Sequence, residues 1–434
     1  MKKYDNYKES GVEWMGEIPS HWDITRIGIN SELTVPQRDK PKDLDGPIPW
    51  LRIEDFDGKY VSSSKTNQGV TQETVDSMNL KVYPVGTVLT ACSCTMGMTA
   101  IVEKPLITNQ TFIGITPKNN LNSVYLYYFF KASTQYLNSI STGAIQSYLS
   151  RSEFSKLRIP KISLNEQIQI ANYLDHKTSQ IDHLIAKKEQ FIKLLEEERV
   201  AVINQAVTKG LDPNVPMKDS GVEWLEEIPE HWGYSSLKWY SKIYSGGTPS
   251  KDVDEYWLNG TIPWLNSGCV NQWDIKEVSD YITEDAFNNS SAKWIPNKSL
   301  VIALAGQGKT KGMVAQVQFE TTCNQSLGVI VPNEKMHSRF LQYWLKNNYQ
   351  NIRNLGGGDK RDGLNLVMIG GIPIPVFPLN EQEKIANYLD SMNIELDSIK
   401  SKTQQEIELL KEYKTALISE VVTGKFDVRN VILN

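Results

Sequence analysis

Residues 164–175 read LNEQIQIANYLD and residues 379–390 read LNEQEKIANYLD, identical at 10 of 12 positions and 215 residues apart. In each copy an Asn (Asn165, Asn380) precedes a Glu and a Gln, the composition of a helix start. A short polar side chain can satisfy the open amides of a first turn, and an acidic group suits its positive end. Beyond Asn165, apolar residues recur at heptad spacing through Leu174, Ile181, Ile185, Ile192, Leu195, Val202 and Ala206. Beyond Asn380 they recur at Leu389, Leu396, Ile399, Ile407, Leu410, Leu417 and Val421. The pattern predicts two helices of roughly 40 residues, about 60 Å each at 1.5 Å per residue. Apolar stripes of that length need a partner. The cheapest one is the other copy, with Leu174, Ile181, Ile185, Ile192 and Leu195 of the first helix and Leu389, Leu396, Ile399, Ile407 and Leu410 of the second forming an antiparallel coiled coil about a pseudo-twofold axis.

Working outward, the duplication extends over the chain. Residues 8–22 (KESGVEWMGEIPSHW) return at 218–232 (KDSGVEWLEEIPEHW) with 11 of 15 identities. PIPWL at 47–51 returns as TIPWL at 261–265, and TNQTFIGITP at 108–117 returns as CNQSLGVIVP at 323–332. The offset grows from 210 to 215, which places the inserted residues early in the second copy. A repeat of this period means that a whole domain followed by its helix has been copied. The expected order is an arm at 1–23, a first domain at 24–163, a first long helix at 164–209, and a linker with a second arm at 210–233. A second domain at 234–378, a second helix at 379–424 and a tail at 425–434 complete it. The arms carry Trp14, Trp22, Trp224 and Trp232, which are expected to pack onto their domains, because aromatic rings are chiefly buried area. The domain interiors alternate short strand-like runs, at 87–91, 112–116, 300–304 and 327–331, with Gly, Pro and Asn punctuation. The fold class is therefore α+β: two tandem domains, each followed by a long helix.

Charge and composition narrow the function. The 434 residues carry a net charge of −5, yet residues 24–163 hold 15 basic and 11 acidic side chains and residues 234–378 hold 14 and 12. Positive charge is concentrated in the two domains and negative charge in the segments around them, an arrangement compatible with a polyanionic partner. No apolar run approaches the ~20 residues of a membrane-spanning helix, and the N-terminus lacks a secretory h-region, so a cytoplasmic location is expected. Cys92, Cys94, Cys269 and Cys323 have no zinc-ligand spacing and the five His residues do not cluster; reduced thiols and no metal site are expected.

The motifs Gly-Val-Glu-Trp, Ile-Pro-x-His-Trp, Ile-Pro-Trp, Leu-Asn-Glu-Gln and Ile-Ala-Asn-Tyr-Leu-Asp, in this order, duplicated and each followed by a long helix, resemble the specificity subunit of type I restriction-modification systems over essentially the whole chain. The resemblance implies a non-catalytic DNA-binding subunit whose two target recognition domains each read one half of an asymmetric, bipartite double-stranded DNA sequence. It implies paired helices that fix the unread gap and dock two adenine-N6 methyltransferase (modification) subunits using S-adenosylmethionine. Restriction/translocase subunits, dependent on ATP and Mg, would complete the complex. Within the domains, loop residues bearing donors and acceptors are the candidates for DNA contact. They are Arg52, Lys65, Thr95, Thr99, Gln110, Gln146 and Arg151 in the first domain, and Gln307, Lys309, Lys311, Asn324, Lys360 and Arg361 in the second.

Two other readings stand beside this one. Residues 303–310, ALAGQGKT, meet a relaxed phosphate-loop pattern after a strand-like run, which would make the chain a nucleotide-binding enzyme. The corresponding part of the first copy, residues 92–98, has no Lys, although Gly97, Met98 and Ala100 match Gly312, Met313 and Ala315. A coiled-coil scaffold without DNA readout would explain the helices and leave the two charged domains idle. Methyltransferase chemistry within the chain lacks its Asn-Pro-Pro-Tyr or Asp-Pro-Pro-Tyr signature.

Overall fold

The computed structural model describes residues 2–36, 40–93, 96–141, 148–306, 309–356 and 363–433. The chain forms two compact units. One comprises residues 1–189 with 404–434, and the other residues 190–403. The division falls inside the long helices, Leu164–Lys209 and Leu379–Val422, so each unit owns part of both.

The two units repeat the same sheets. In the first, a five-stranded sheet runs in the order Ser31–Thr34, Phe112–Pro117, Val88–Ala91, Thr99–Val102, Tyr60–Val61. In the second, the order is Ser241–Ser245, Leu327–Pro332, Leu300–Ala303, Val314–Val317, Asp274–Ile275. Four strands of each are antiparallel, and the last joins in parallel. Their central strands are buried on both faces, which is why these segments read as continuous runs of Val, Ile, Leu, Ala and Thr rather than as an alternation. A helix covers one face of each sheet, Ser123–Ala132 burying Tyr125, Leu126, Tyr128, Phe129 and Phe130, and Ser338–Asn347 burying Phe340, Leu341, Tyr343, Trp344 and Leu345. A three-stranded sheet stands beside each: Ile48–Leu51 lies between Ile107–Thr108 and Gly69–Val70, and Ile262–Leu265 lies between Thr322–Cys323 and Asp280–Ile282.

Register corrects the simple growth of the repeat offset. Equivalent strands are 214 residues apart at Ile48–Leu51 and Ile262–Leu265, 212 apart at Val88–Ala91 and Leu300–Ala303, and 215 apart at Thr99–Val102 and Val314–Val317. The last step lies in one hairpin, whose connection is seven residues in the first unit (92–98) and ten in the second (304–313). Both hairpins close on a Gly in the left-handed region, Gly97 at φ 86° and Gly312 at φ 84°. The frame is constant and the loop it carries is not.

Within each unit the long helices run antiparallel. In the first, Lys414 pairs with Asp182 at 2.6 Å and Lys188 with Glu406 at 2.5 Å, while Leu174, Ile181, Leu417 and Val421 share one apolar core with Ile185 and Leu410 against it. In the second, Lys400 pairs with Glu196 at 2.6 Å and Arg199 with Asp397, and Leu389 joins Ala206 and Val207 in the core. Leu195, Leu396 and Ile407 are buried, and Ile192 and Ile399 half-buried, so the heptad stripe faces inward.

The arms are fastened to the first turn of a long helix. Trp22 and Trp232 are fully buried, and each indole Nε1 donates to a carboxylate at 3.0 Å, Glu166 and Glu381 respectively. His21 and His231 reach the same two carboxylates at 3.2 and 3.0 Å. Trp14 is half-buried, stacked on Tyr136 and edge-on to Phe129. All four Trp residues thus serve packing, as expected of the arms. The adjacent Gln closes the joint from the other side. Gln167 accepts from the Asn122 amide at 2.8 Å and donates to the carbonyls of Asn120 and Ile162, and Gln382 does the same with His337, Lys335 and Phe377.

The two carboxylates are not equally enclosed. Glu166 also accepts from the Tyr4 phenol at 2.8 Å and its side chain is nearly buried, whereas Glu381 is partly open. Glu166→Ala leaves two buried donors without partners and should cost about 3 kcal/mol, against roughly 1 to 2 kcal/mol for Glu381→Ala, at about 1 to 3 kcal/mol per stranded group. Urea unfolding of the two variants checks the order.

Candidate nucleic-acid interface

The parallel pairing of Ile48–Leu51 with Ile107–Thr108 sends two chains out of the sheet at the same edge, Leu51 opposite Thr108. Arg52 therefore emerges beside Asn109, whose amide donates to the Leu51 carbonyl at 3.1 Å, and exposed Gln110 follows. The antiparallel neighbour Gly69–Val70 brings the 64–68 loop to the same place, with the Trp50 amide donating to the Gln68 carbonyl at 3.0 Å. Asp55 ties the loops together. Its buried carboxylate accepts from the amides of Arg52 (2.7 Å) and Lys65 (2.8 Å) and from the Ser64 hydroxyl (3.2 Å). Next along the edge, Cys92 accepts from the Leu149 amide and donates its own to Thr111, and Ser93 bridges exposed Tyr148. Arg52, Lys65, Gln110 and Tyr148 thus share one rim.

The second unit builds the same rim from different chemistry. Leu265 lies opposite Cys323, and the Asn324 amide donates to Leu265 at 3.0 Å. The exposed residue in the place of Arg52 is Asn266, whose side-chain oxygen accepts from the Gly268 amide at 2.9 Å and leaves its NH2 group to the rim, and in the place of Gln110 it is Gln325. The 246–250 loop closes against this turn, with Thr248 hydrogen-bonded to Gln325 and the Trp264 indole donating to the Gly247 carbonyl at 3.0 Å. Only glycine permits the approach: a Cβ at Gly246 would sit 2.1 Å from the Cys323 carbonyl oxygen, and one at Gly247 would sit 2.4 Å from backbone of Ser291. The first rim carries a guanidinium paired with Glu54 at 3.0 Å and an ammonium paired with Asp57 at 3.2 Å, the second a row of amides and a hydroxyl.

Several expected residues lie elsewhere. Thr99 is 2% exposed, in the middle of the five-stranded sheet, its hydroxyl paired across the strands with Thr90 at 3.0 Å, so it is removed from the contact set. Lys311 is also 2% exposed and is removed for the same reason; its carbonyl accepts from Arg353 where the hairpin leans on Tyr349–Asn354. Asn324 spends its side-chain oxygen on the Ser326 amide and shapes the turn that presents Gln325. Arg151 lines a separate open cleft with Lys118, Ser31 and Glu32, and Lys309 is exposed on the hairpin. Thr95, Gln146, Gln307, Lys360 and Arg361 lie outside the described residues. Asp55, Thr248, Asn266 and Gln325 were missed. Gln325 was within reach, since the repeat aligns it with Gln110; Asp55 was not, because a carboxylate holding backbone amides has no sequence signature.

The ALAGQGKT stretch has the wrong setting for a phosphate loop. Ala303 ends a strand that is followed by the antiparallel strand Val314–Val317, and among the described residues between them there is no helix whose N-terminus could receive a phosphate. Among the described residues no group of three or more His, Cys, Asp or Glu is placed to hold a metal ion. Burial pushes the thiols of Cys269 and Cys323 up to about 12, so both stay protonated at neutral pH.

The profile of the type I restriction modification DNA specificity domain matches residues 27–194 and 229–409, once over each recognition domain with the helix that follows it. The chain belongs to this family. It is 27% identical over 441 residues to the MjaIX specificity subunit of a type I restriction enzyme from Methanocaldococcus jannaschii, covering 98% of this chain and 97% of that relative. It is 28% identical over 262 residues to the EcoR124I/EcoR124II specificity subunit of Escherichia coli, covering 59% of each. A solved chain from work on complex assembly and conformational transition of the type I R-M system superposes with a TM-score of 0.71 at 16% identity, covering 94% of this chain and 99% of that one. The crystal structure of the HsdS subunit from Thermoanaerobacter tengcongensis gives 0.63 at 16% identity, covering 94% and 98%. At that identity the likeness is one of fold, and it includes both recognition domains.

If the rims read bases, side chains on them act locally. Gln110→Ala should relax discrimination in one half-site and Gln325→Ala in the other, each by roughly 1 to 3 kcal/mol, while Thr99→Val changes neither. Competition binding of duplexes mutated one base pair at a time, at fixed salt, checks all three.

Proposed function

We propose that this chain is the non-catalytic DNA-reading subunit of a type I restriction-modification complex, acting in the cytoplasm on an asymmetric, bipartite double-stranded target. The observation that carries the reading is the pair of rims: one scaffold, built twice, presents Arg52, Lys65 and Gln110 in one copy and Thr248, Asn266 and Gln325 in the other. Arg and Lys favour guanine edges and Asn and Gln favour adenine, so unlike rims recognise unlike half-sites. Phosphate contacts from neighbouring lysines would position each domain without specifying sequence.

The long helices would serve the partners. Leu184, Phe191, Leu194, Ile394, Leu409 and Tyr413 are large, apolar and exposed on them, outside the heptad stripe. Such side chains suit docking of two adenine-N6 methyltransferase subunits, which would bring S-adenosylmethionine. Restriction and translocase subunits would bring ATP and Mg, so that the chemistry belongs to partners and the choice of site to this chain.

Exchange of residues 24–163 for the corresponding domain of a relative, followed by single-molecule sequencing of methylated adenines, tests the reading. One half of the methylated motif should change and the other should persist. If both halves change together, the domains are not independent readers.

A further inference from the structure

Beyond the apolar core they share, each recognition domain makes polar contact with its long helix at two places. The first is the Gln167 or Gln382 joint in the opening turn. The second lies eight residues on, at Asp175 or Asp390, about 12 Å along the axis. Apolar burial is non-directional, so two polar points along the helix are what fix the tilt of the domain.

The second contact is polar. Asp175 receives the Tyr128 phenol at 2.6 Å and the Lys59 ammonium at 2.6 Å, and Tyr128 also meets the Thr178 hydroxyl at 3.1 Å. In the other unit, Asp390 receives the Tyr343 phenol at 2.6 Å and Arg339 Nε at 3.3 Å. Arg339 meanwhile holds both oxygens of Asp274, at 2.7 and 3.2 Å, so it spans from the edge strand of the sheet to the helix. Burial, and then the bond to the aspartate, drives both phenols far above their usual range, and they remain donors. The Asp–Tyr pair is the same in both units, while the cation comes from a loop in one and from a helix in the other. Two different routes converge on one contact.

Apolar packing flanks this contact on one side, Tyr128 sharing a core with Ile170, Leu174 and Ile181, and Tyr343 one with Ile385 and Leu389. Beside Asp175 the domain and helices part around a cleft of about 840 Å³ lined by Lys59, Met98, Tyr128, Lys131, Asp182 and Lys414 among others. Beside Asp390 a cleft of about 480 Å³ is lined by Trp273, Arg339, Tyr343 and Asn393. With space on the other flank, the directional polar contact fixes the tilt that a non-directional core leaves open.

We infer that Asp175 with Lys59 and Tyr128, and Asp390 with Arg339 and Tyr343, are latches that set the tilt of each recognition domain on its helices and so the number of unread base pairs between the half-sites. They are positioning residues, and their role rests on the function proposed above.

The test uses the full chain assembled with its modification subunits, on a DNA library in which the half-sites are fixed and the gap varies by single base pairs. D175N and K59M should raise methylation at gaps one base pair too long or too short on the order of tenfold over wild type, the effect of losing one charge-assisted hydrogen bond. The half-site sequences should stay unchanged, and the reversed pair, Lys59→Asp with Asp175→Lys, should restore the narrow gap. Y128F decides the matter should D175N fail to fold. Variants that keep the wild-type gap distribution, or that lose half-site sequence along with it, overturn the latch. A wild-type complex without any bipartite motif overturns the proposed function and the latch together.

Discussion

A single glutamate at the head of each long helix organises the rest of its unit. Glu166 and Glu381 sit where a carboxylate is favoured by the helix dipole, and each uses its oxygens to hold an indole and an imidazole of the arm. The neighbouring glutamine turns the other way and takes hold of the helix that covers the sheet. Arm, helix and recognition domain therefore meet within one helical turn. This explains why the motifs Ile-Pro-x-His-Trp and Leu-Asn-Glu-Gln occur together: they are two halves of one joint. Neither half would bury its polar groups without the other.

The constancy of this joint lets the loops differ. The strands that carry the rims are pinned by sheet register, by fully buried core positions, and in the first unit by Asp55. Against such a frame a hairpin can gain three residues, or an Arg can give way to an Asn, without moving its neighbours. Specificity is thereby separated from stability, because exposed rim residues contribute little to folding.

The sequence made the architecture legible and much of the reading surface obscure, for a physical reason. The heptad stripe of Leu174, Ile181 and Leu389 follows from periodicity, since a long apolar stripe has few ways to be covered. The duplication exposed the frame at once. Thr99 and Lys311 were misplaced because a polar side chain in a loop-like segment says nothing about the direction it points; Thr99 turned inward to Thr90 across a strand pair. Asp55 and the Asp175 latch were invisible because they act through backbone amides and distant cations, with partners up to 116 residues away in the case of Lys59 and Asp175. The ALAGQGKT stretch misled in the opposite sense: its residues fit a pattern whose meaning depends on a following helix, and the strand before it pairs instead with the antiparallel strand Val314–Val317.

The division of the helices also bears on the order in which the chain acquires its structure. Residues 190–403 contain everything the second unit needs, whereas the first unit requires residues 404–434, including the Asp427 amide that bonds to the Lys2 carbonyl. On a ribosome, where synthesis proceeds from the N-terminus, the unit begun first is finished last. Its stretch of the first long helix keeps an open apolar stripe until residues 404–434 emerge. Contacts spanning nearly the whole sequence carry a large loop-closure cost and form slowly. The unit built on residues 1–189 is thus the one that depends on residues made after its neighbour.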